Sequence, residues 1–321
     1  MEEDDVPYVP KDVIPVEKVI PVADCNYHTY FWTTEREPKD YKGRILILHG
    51  YRDLRQVYYY FLEQLALKGY DIFYFDQRGE GKTVLKNGEK GTTNDYHAFK
   101  AVDYFIEYNQ KELEQEAKDG KVGEAKKLSI LSVSMGGGIS LNYAAIGKNA
   151  SQLASMVNIA PLILLHEKTY PGRVTEYLVR ALCAIPGCQT LHVKTDLHPE
   201  YVSGDPKYIE YIRKRDRKNP LSATLVESRD FIFRGRRLLE PEYYEKVDKE
   251  LPILICHGDT DYINDISGSR KFIEKLKGVP GMKNKRIIEY PNGRHELFID
   301  TPEIRDKLIA DVVEFLDSVH V

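Results

Sequence analysis

The chain has 321 residues, of which 42% are hydrophobic and 30% charged, and this composition is typical of a folded globular protein. It contains no apolar stretch near the roughly 20 residues of a transmembrane helix, and its acidic first residues do not resemble a secretion signal. The net charge of −4 argues against nucleic acid as a partner, and four scattered cysteines are too few for a disulfide framework or a zinc site, so we expect a cytoplasmic protein.

Strand-like apolar runs alternate along the chain with helical periodicity, the pattern of helices that cover a mostly parallel sheet. Strands are predicted at residues 44–48, 71–75, 128–133, 154–159, 252–256 and 286–290. Helices are predicted at residues 58–68 and 94–117, from residue 135, at 267–277 and from residue 301. This order predicts a doubly wound α/β fold.

The alternation stops between residues 161 and 240, where the sequence predicts helical pieces and no strand. We interpret residues 1–160 as the first part of an α/β core, with residues 1–13 as a loose tail. Residues 161–245 are then an inserted helical cap, and residues 246–321 complete the core. An insertion of this length exceeds an ordinary connection, which indicates a functional role.

Ser134 is the first candidate for chemistry, because it stands between a strand-like run and the glycine-rich helix start Met135-Gly-Gly-Gly138. A sharp strand-to-helix turn of this kind strains the backbone and exposes the serine Oγ above the sheet, while small neighbours let strand and helix approach closely. A glycine-rich helix start with an incidental serine is the alternative interpretation.

Two further segments supply acid and base candidates. The sequence His257-Gly-Asp-Thr-Asp261 follows one predicted strand, and Pro291-Asn-Gly-Arg-His295 follows the next. The chain order Ser, Asp, His is the one expected when a catalytic triad lies on an open α/β sheet. Each candidate follows the C-terminal end of a strand, where such sheets build their sites. His295 is therefore the predicted base, and the carboxylate partner remains open between several aspartates.

Six short blocks carry a resemblance to a known family. They are Leu48-His-Gly50, Phe75-Asp-Gln-Arg-Gly79, Ser134-Met-Gly-Gly-Gly138, Ala160-Pro-Leu162, Asp261-Tyr-Ile-Asn-Asp265 and Gly293-Arg-His295. In this order they resemble the monoglyceride lipase family, in particular its fungal branch, over roughly residues 42–316. The resemblance implies an α/β-hydrolase fold, with Asp261 rather than Asp259 or Asp265 as the triad acid. Asp265 is then a helix N-cap and Asp259 a turn residue.

One departure from the family pattern surrounds the nucleophile. The family usually has Gly-His before the serine, whereas this chain has Ser132-Val133. Ser132 adds a side chain where close packing prefers glycine, but neither change touches the proton path of the triad. Ser132 falls inside the strand rather than on the turn, so we do not expect it to be the nucleophile.

The resemblance implies a serine hydrolase that cleaves monoacylglycerol, or a similar lipid ester, through an acyl-enzyme on Ser134. The oxyanion is expected to bind the backbone N–H groups of Tyr51 and Met135, while His49 shapes the turn before Tyr51. This chemistry needs no cofactor and no metal. The alternatives are an acyltransferase, a lysophospholipase or general esterase with the same triad, and an inactive binding homologue.

The predicted cap contains two groups of residues that bear on the substrate. Apolar residues at helical spacing are Val174, Tyr177, Leu178, Ala181, Leu182 and Ile185. They could line an acyl tunnel, dip into a lipid surface, or simply pack on the core. Basic residues that could face an anionic membrane, or only solvent, are Arg213, Lys214, Arg215, Arg217 and Lys218. Peripheral contact with lipid droplets or intracellular membranes is therefore an expectation.

The stretch Asp76-Gln-Arg-Gly-Glu-Gly-Lys-Thr83 nearly matches a phosphate-binding loop. Asp76 replaces the first glycine, and its carboxylate would repel a phosphate. Asn87, Gly88 and Gly91 also predict a loop where the motif requires a helix. A nucleotide hydrolase is therefore disfavoured.

Overall fold

The computed structural model describes residues 6–195 and 197–320. The strands of this part of the chain are β1 (Val16–Val22), β2 (Cys25–Trp32), β3 (Gly43–Leu48), β4 (Tyr70–Phe75), β5 (Val84–Leu85), β6 (Leu128–Val133), β7 (Leu153–Ile159), β8 (His192–Lys194), β9 (Ser222–Thr224), β10 (Ile253–Gly258) and β11 (Lys285–Tyr290). Its α-helices are α1 (Tyr59–Leu67), α2 (Asp95–Lys118), α3 (Met135–Ile146), α4 (Arg173–Cys183), α5 (Pro199–Val202), α6 (Pro206–Lys218), α7 (Leu225–Arg237), α8 (Pro241–Tyr244), α9 (Ile266–Gly278) and α10 (Pro302–His320).

A mixed sheet runs through the molecule in the order β1-β2-β4-β3-β6-β7-β10-β11, and β5 pairs with β2. From β4 to β11 all neighbouring strands are parallel, whereas β2 runs antiparallel to β1, β4 and β5. Helices α1 and α10 cover one face, and α2, α3 and α9 cover the other. The prediction of a doubly wound, mostly parallel sheet is confirmed.

The continuous apolar runs of the central strands follow from this double cover, because parallel strands are buried on both faces. In β3, Ile45 and Ile47 belong to the core under α1 and α10. Leu46 and Leu48 belong to the core on the opposite face. The buried C-terminal end of β3 therefore lies on the same side of the sheet as the loops that follow β6, β10 and β11.

The expectation of a loose tail is wrong for residues 6–13. The backbone N–H groups of Lys11, Asp12 and Val13 donate to Glu63 Oε1 at 2.8–2.9 Å, and Tyr8 also donates to this carboxylate. Val13 is buried in the core. A single carboxylate of α1 therefore fastens the segment, whereas residues 1–5 lie outside the described part of the chain.

The segment between β7 and β10 holds α4 to α8, and we propose that residues 161–245 form a cap on the core. The prediction that this segment contains no strand is wrong, because β8 and β9 pair as a short antiparallel ribbon. All three residues of β8 are exposed, so the ribbon has no apolar alternation by which a sequence pattern could reveal it.

Candidate active site

Ser134 occupies the turn between β6 and α3. Its φ of 50° and ψ of −113° lie in a region that non-glycine residues rarely adopt. The glycines behind it are required by space, since a Cβ on Gly136 would lie 2.1 Å from the Leu48 carbonyl oxygen. A Cβ on Gly137 would lie 2.6 Å from that of Pro161. The turn therefore has the strained, closely packed geometry of a nucleophile elbow.

Ser132, the departure from the family pattern, is fully buried in β6. Its Oγ donates to Asn158 Oδ1 at 2.8 Å and lies 2.9 Å from Ser140 Oγ. Ser140 Oγ donates to the same Asn158 oxygen at 2.6 Å. The hydroxyl is thus accommodated in a polar cluster inside the core, on neighbouring elements, and has no access to a substrate.

His295 and Asp261 form a buried pair, in which His295 Nδ1 lies 2.8 Å from Asp261 Oδ2. The other carboxylate oxygen, Oδ1, accepts the backbone N–H groups of Ile263 at 2.8 Å and Asn264 at 3.0 Å. Burial opposes ionisation of Asp261, but the charges and hydrogen bonds of His295 and His257 outweigh it and lower its pKa. An ionised Asp261 can therefore hold a proton on Nδ1 and leave Nε2 free to act as a base.

The other two aspartates of this loop have different partners. Asp259 Oδ1 accepts the backbone N–H of Asn292 at 2.7 Å, and Asp265 caps α9 by accepting the N–H of Ser267 at 2.8 Å. The structure therefore brings Asp261, rather than Asp259 or Asp265, to the imidazole of His295.

The proposed cap also holds the loop that carries His295. The backbone N–H of His295 donates to the Tyr201 carbonyl at 3.2 Å, and that of Glu296 donates to the Val202 carbonyl at 2.9 Å. Both carbonyls belong to α5. The orientation of the imidazole thus depends on contacts from a segment inserted between β7 and β10.

The predicted oxyanion donors follow two neighbouring parallel strands, Tyr51 after β3 and Met135 after β6. Among the described residues, neither backbone N–H donates a hydrogen bond to a backbone carbonyl. His49 lies deeper, where its Nδ1 donates to the Gly50 carbonyl at 2.7 Å and its Nε2 accepts the N–H of Gln77 at 2.9 Å. His49 therefore shapes this turn, as expected for a structural residue.

Asn264 is a site residue whose role was not predicted from the sequence, although it lies in the block Asp261-Tyr-Ile-Asn-Asp265. Its side chain donates from Nδ2 to the Ala160 carbonyl at 2.8 Å and to Ser134 Oγ at 3.4 Å. It is buried and also contributes the backbone N–H that Asp261 accepts. Its position three residues after Asp261 is the only sequence signal that could have indicated this role.

One cavity of about 290 Å³ connects these groups, since Tyr51, Ser134, Met135 and His295 all line it. Its apolar walls include Leu162, Leu165, Val179, Leu197, Val202, Leu221, Phe231, Ile232 and Ile263. The ionisable residues in its lining are Asp53, Glu176, Lys194, Arg215, Asp216 and Glu296. The lining of the cavity therefore combines apolar side chains with several ionisable ones, and Ser134 is part of it.

Arg215 was expected on a membrane-facing or solvated surface, and this expectation is wrong. Its side chain lines the cavity, and its Nε donates to Asp216 Oδ1 at 2.7 Å. Burial and the neighbouring Asp53 raise the pKa of Glu296 well above its ordinary value, against the opposing charge of Arg215. Its surroundings thus favour the protonated form of Glu296, which can both donate and accept a hydrogen bond.

The segment that nearly matches a phosphate-binding loop in sequence does not have the structure of one. The loop that contains Asp76 and Thr83 leads into β5 and not into a helix. Asp76 Oδ2 accepts the N–H of Lys82 at 2.8 Å, so the carboxylate occupies the position where backbone amides would bind a phosphate. A nucleotide-binding interpretation is not supported by this geometry.

Several known proteins are similar to this chain. The family profile described as "Hydrolase_4: Serine aminopeptidase, S33" matches residues 39–302. The monoglyceride lipase of Saccharomyces cerevisiae is 29% identical over 316 residues, which cover 97% of this chain and 96% of the yeast protein. A putative monoglyceride lipase of Schizosaccharomyces pombe is 27% identical over 92% of this chain and 70% of its own length.

Solved structures of monoglyceride and monoacylglycerol lipases are also similar to this chain. A soluble variant of the Saccharomyces cerevisiae monoglyceride lipase, in complex with a substrate analog, has a TM-score of 0.85 at 28% identity, with 98% of this chain and 99% of that chain covered. The monoacylglycerol lipase of Paleococcus ferrophilus, at 24% identity and TM-score 0.72 over 91% of this chain and 98% of its own, shows the shared fold. The predicted resemblance to monoglyceride lipases is confirmed.

Proposed function

The chain belongs to the serine aminopeptidase S33 family of hydrolases, and we propose that it cleaves monoacylglycerol to glycerol and a free fatty acid. The observation that carries this proposal is the position of Ser134, on a strained turn, in the same cavity as the His295–Asp261 pair. Similarity to monoglyceride lipases over nearly the whole chain supports the choice of substrate.

In the proposed mechanism, His295 Nε2 takes the Ser134 proton as Oγ attacks the ester carbonyl carbon, and ionised Asp261 stabilises the imidazolium. The backbone N–H groups of Tyr51 and Met135 bind the oxyanion, each worth roughly 3–4 kcal/mol in the transition state. His295 then protonates the glycerol oxygen as the C–O bond breaks. Water, deprotonated by His295, attacks the acyl-enzyme and releases the fatty acid.

The charges of the cavity support a neutral head group. The cationic residues of the cavity lining are Lys194 and Arg215, and Arg215 is already paired with Asp216, while Asp53 and Glu176 add two further acidic side chains. A phosphate in this position would meet more negative than positive charge, which costs several kcal/mol, whereas glycerol hydroxyls can donate to carboxylates and accept from Arg215. This favours monoacylglycerol over a lysophospholipid, and the apolar wall suits an acyl chain.

We also propose that the outer surface of α4 contacts lipid. The apolar residues predicted on this helix do not pack on the core, since Val174 and Tyr177 are 76% and 72% exposed. Thr175, Glu176 and Val179 of the same helix line the cavity, so the exposed surface lies beside the substrate site. The proposed contact is peripheral, because it uses one exposed helix surface. No described helix has the length and apolar character to cross a membrane.

The proposed activity is tested with purified protein and the variant Ser134→Ala, across monoacylglycerols, lysophospholipids and short p-nitrophenyl esters. We expect turnover of monoacylglycerol above that of lysophospholipid, and no ester hydrolysis by the folded variant. Product analysis with added ethanol separates a hydrolase from an acyltransferase. A fluorophosphonate probe that does not label the wild-type chain would indicate an inactive binding homologue.

The lipid contact is tested by flotation with phosphatidylcholine vesicles. The double change Tyr177→Ser and Leu178→Ser should reduce vesicle binding several-fold while turnover of a short soluble ester is kept. Ile14→Ser with Val19→Ser is the matched control, because both residues are exposed apolar side chains outside the proposed cap. Equal loss of binding in both double variants would contradict a specific contact through α4.

A further inference from the structure

The residue after the proposed oxyanion donor Tyr51 has an unusual backbone. Arg52 has a φ of 57°, in the left-handed region that favours glycine or asparagine. A long side chain in this region costs of order 1–3 kcal/mol and persists only when its surroundings hold it there. The conformation matters for catalysis, because the orientation of the Tyr51 N–H depends on the path of the chain through this turn.

The guanidinium of Arg52 connects three segments that are distant in sequence. Its Nη1 donates to the Gly79 carbonyl at 3.1 Å, in the loop after β4. Its Nη2 donates to the Ser222 carbonyl at 3.2 Å, in β9 of the proposed cap. The turn after β3 is therefore tied by one side chain both to the core and to the ribbon of the cap.

A buried carboxyl group lies next to this guanidinium. Glu80 Oε2 is 3.6 Å from Arg52 Nη1, and the Glu80 side chain is 4% exposed. Burial raises the pKa of Glu80 to about 8, and the nearby carboxylates of Glu227 and Asp53 add to this effect, while Arg52 and Lys90 oppose it. Arg52 thus donates to two carbonyl oxygens, whose ability to accept does not depend on pH, and has the titratable Glu80 beside it.

The ring of Tyr51 is held as well. It packs edge-on against Phe231 of α7, with centroids 5.2 Å apart. The Arg52 guanidinium lies 5.5 Å from the centroid of the same ring, a distance at which a cation and an aromatic face attract each other. Tyr51 therefore lies between the arginine that follows it and a helix of the proposed cap.

We infer that Arg52 is a positioning residue for the oxyanion hole, which holds the Tyr51 N–H toward the substrate carbonyl by tying its turn to Gly79 and Ser222. The inference rests on the proposed function, because it needs an oxyanion to stabilise. Only a forked, planar donor satisfies two carbonyls in different directions; a lysine ammonium on its flexible stem fixes neither direction. Displacing the cap ribbon would then weaken catalysis without touching the triad.

The test uses Arg52→Asn, because asparagine tolerates the left-handed backbone but lacks the guanidinium. We expect kcat for p-nitrophenyl butyrate to fall about 10- to 100-fold, less than or equal to the effect of deleting an oxyanion donor. KM should change less than about threefold, since the acyl-binding walls stay in place. Arg52→Lys should recover only part of the loss.

Active sites are counted with a fluorophosphonate probe at the end of its reaction, so that kcat is expressed per labelled serine. A merely structural role would lower the melting temperature and the labelled fraction but leave kcat per site unchanged. Arg270→Asn is the control, since this arginine also pairs with a glutamate, Glu289, but on the exposed surface.

The outcomes separate the two proposals. Wild-type kcat per site in Arg52→Asn would overturn the inference alone. A wild-type chain that neither reacts with the probe nor hydrolyses esters would overturn the proposed function, and the inference with it.

Discussion

Replacing Asp261 by asparagine tests the proposed triad most sharply, because the structure determines which way the new amide must point. Asp261 Oδ1 accepts two backbone N–H groups, from Ile263 and Asn264. An asparagine keeps both bonds only if its oxygen takes the Oδ1 position. Its NH₂ group then faces His295 Nδ1, where Asp261 Oδ2 lies at 2.8 Å.

An NH₂ group can only donate a hydrogen bond, so Nδ1 must become the acceptor and the imidazole proton moves to Nε2. A histidine in this tautomer is unable to accept the Ser134 proton. Turning the amide around would leave two buried N–H groups without acceptors, at about 1–3 kcal/mol each. We therefore expect kcat to fall about 10⁴-fold, which corresponds to about 5.5 kcal/mol in the activation barrier.

The assay is steady-state hydrolysis of a monoacylglycerol, with circular dichroism to confirm that the variant is folded. Asp259→Asn is the matched control, because the Asp259 carboxylate lies in the same loop but accepts the backbone N–H of Asn292, whereas that of Asp261 lies against His295. It should keep turnover within a fewfold of wild type. If Asp261→Asn retains a tenth of the activity, or Asp259→Asn loses as much, then the carboxylate that orients His295 has been misassigned.

Three further substitutions have defined outcomes. Gly136→Ala should lower both the melting temperature and turnover, at about 1–3 kcal/mol of stability, because its Cβ would meet the Leu48 carbonyl at 2.1 Å; unchanged thermal unfolding would contradict this steric argument. Ser132→Ala should cost about 1 kcal/mol of unfolding free energy and keep ester turnover, whereas loss of turnover would reopen the choice of nucleophile. Glu80→Gln should become more stable relative to the wild type as the pH rises from about 5 to 8. Burial raises the Glu80 pKa from 4.5 to about 8, so in this window the folded state keeps a proton that the unfolded state releases. The free energy of unfolding of the wild type therefore falls as the pH rises, whereas the glutamine has no proton to lose. Denaturant titrations of both proteins at pH 5, 6.5 and 8 measure this difference in unfolding free energy. A difference that stays constant over the three pH values would contradict the raised pKa of Glu80.

The parts of the fold that could be predicted are those with a strong apolar pattern. Strands β3, β4, β6, β7 and β10 are buried on both faces and appear in the sequence as short continuous apolar runs. The edge strand β1 has Ile20 as its single buried residue, and β8 has none. Such strands are specified by backbone pairing with a neighbour, which leaves little trace in hydrophobic periodicity.

The candidate site likewise contains residues that the sequence could indicate and residues that it could not. Ser134, Asp261 and His295 each follow a strand, so the topology of a parallel sheet brings them to one edge. Motif order was enough to indicate Ser134 and His295, whereas the choice of Asp261 among the aspartates came from the family resemblance. Arg215 could not be assigned, since α6 has basic residues on several sides and only tertiary packing decides which one enters the cavity. Glu63 likewise gave no sign that it would fasten the N-terminal segment, because its backbone partners lie some 50 positions away.

Two residues with strained backbones, Ser134 and Arg52, flank the proposed oxyanion hole, and the strain at each is held in a different way. Ser134 follows β6 and Arg52 lies just beyond β3, its parallel neighbour in the sheet. After Ser134, strand and helix cross so closely that Gly136 and Gly137 have no room for a side chain, and these glycines indicate the turn in the sequence. At Arg52 the strained turn is held by hydrogen bonds from a side chain to Gly79 and Ser222, and no glycine is needed. Close packing of strand and helix therefore holds one turn, and the side-chain hydrogen bonds of Arg52 hold the other. The glycines after Ser134 and the block Leu48-His-Gly50 indicated the two turns, but nothing in the sequence indicated the contacts of Arg52.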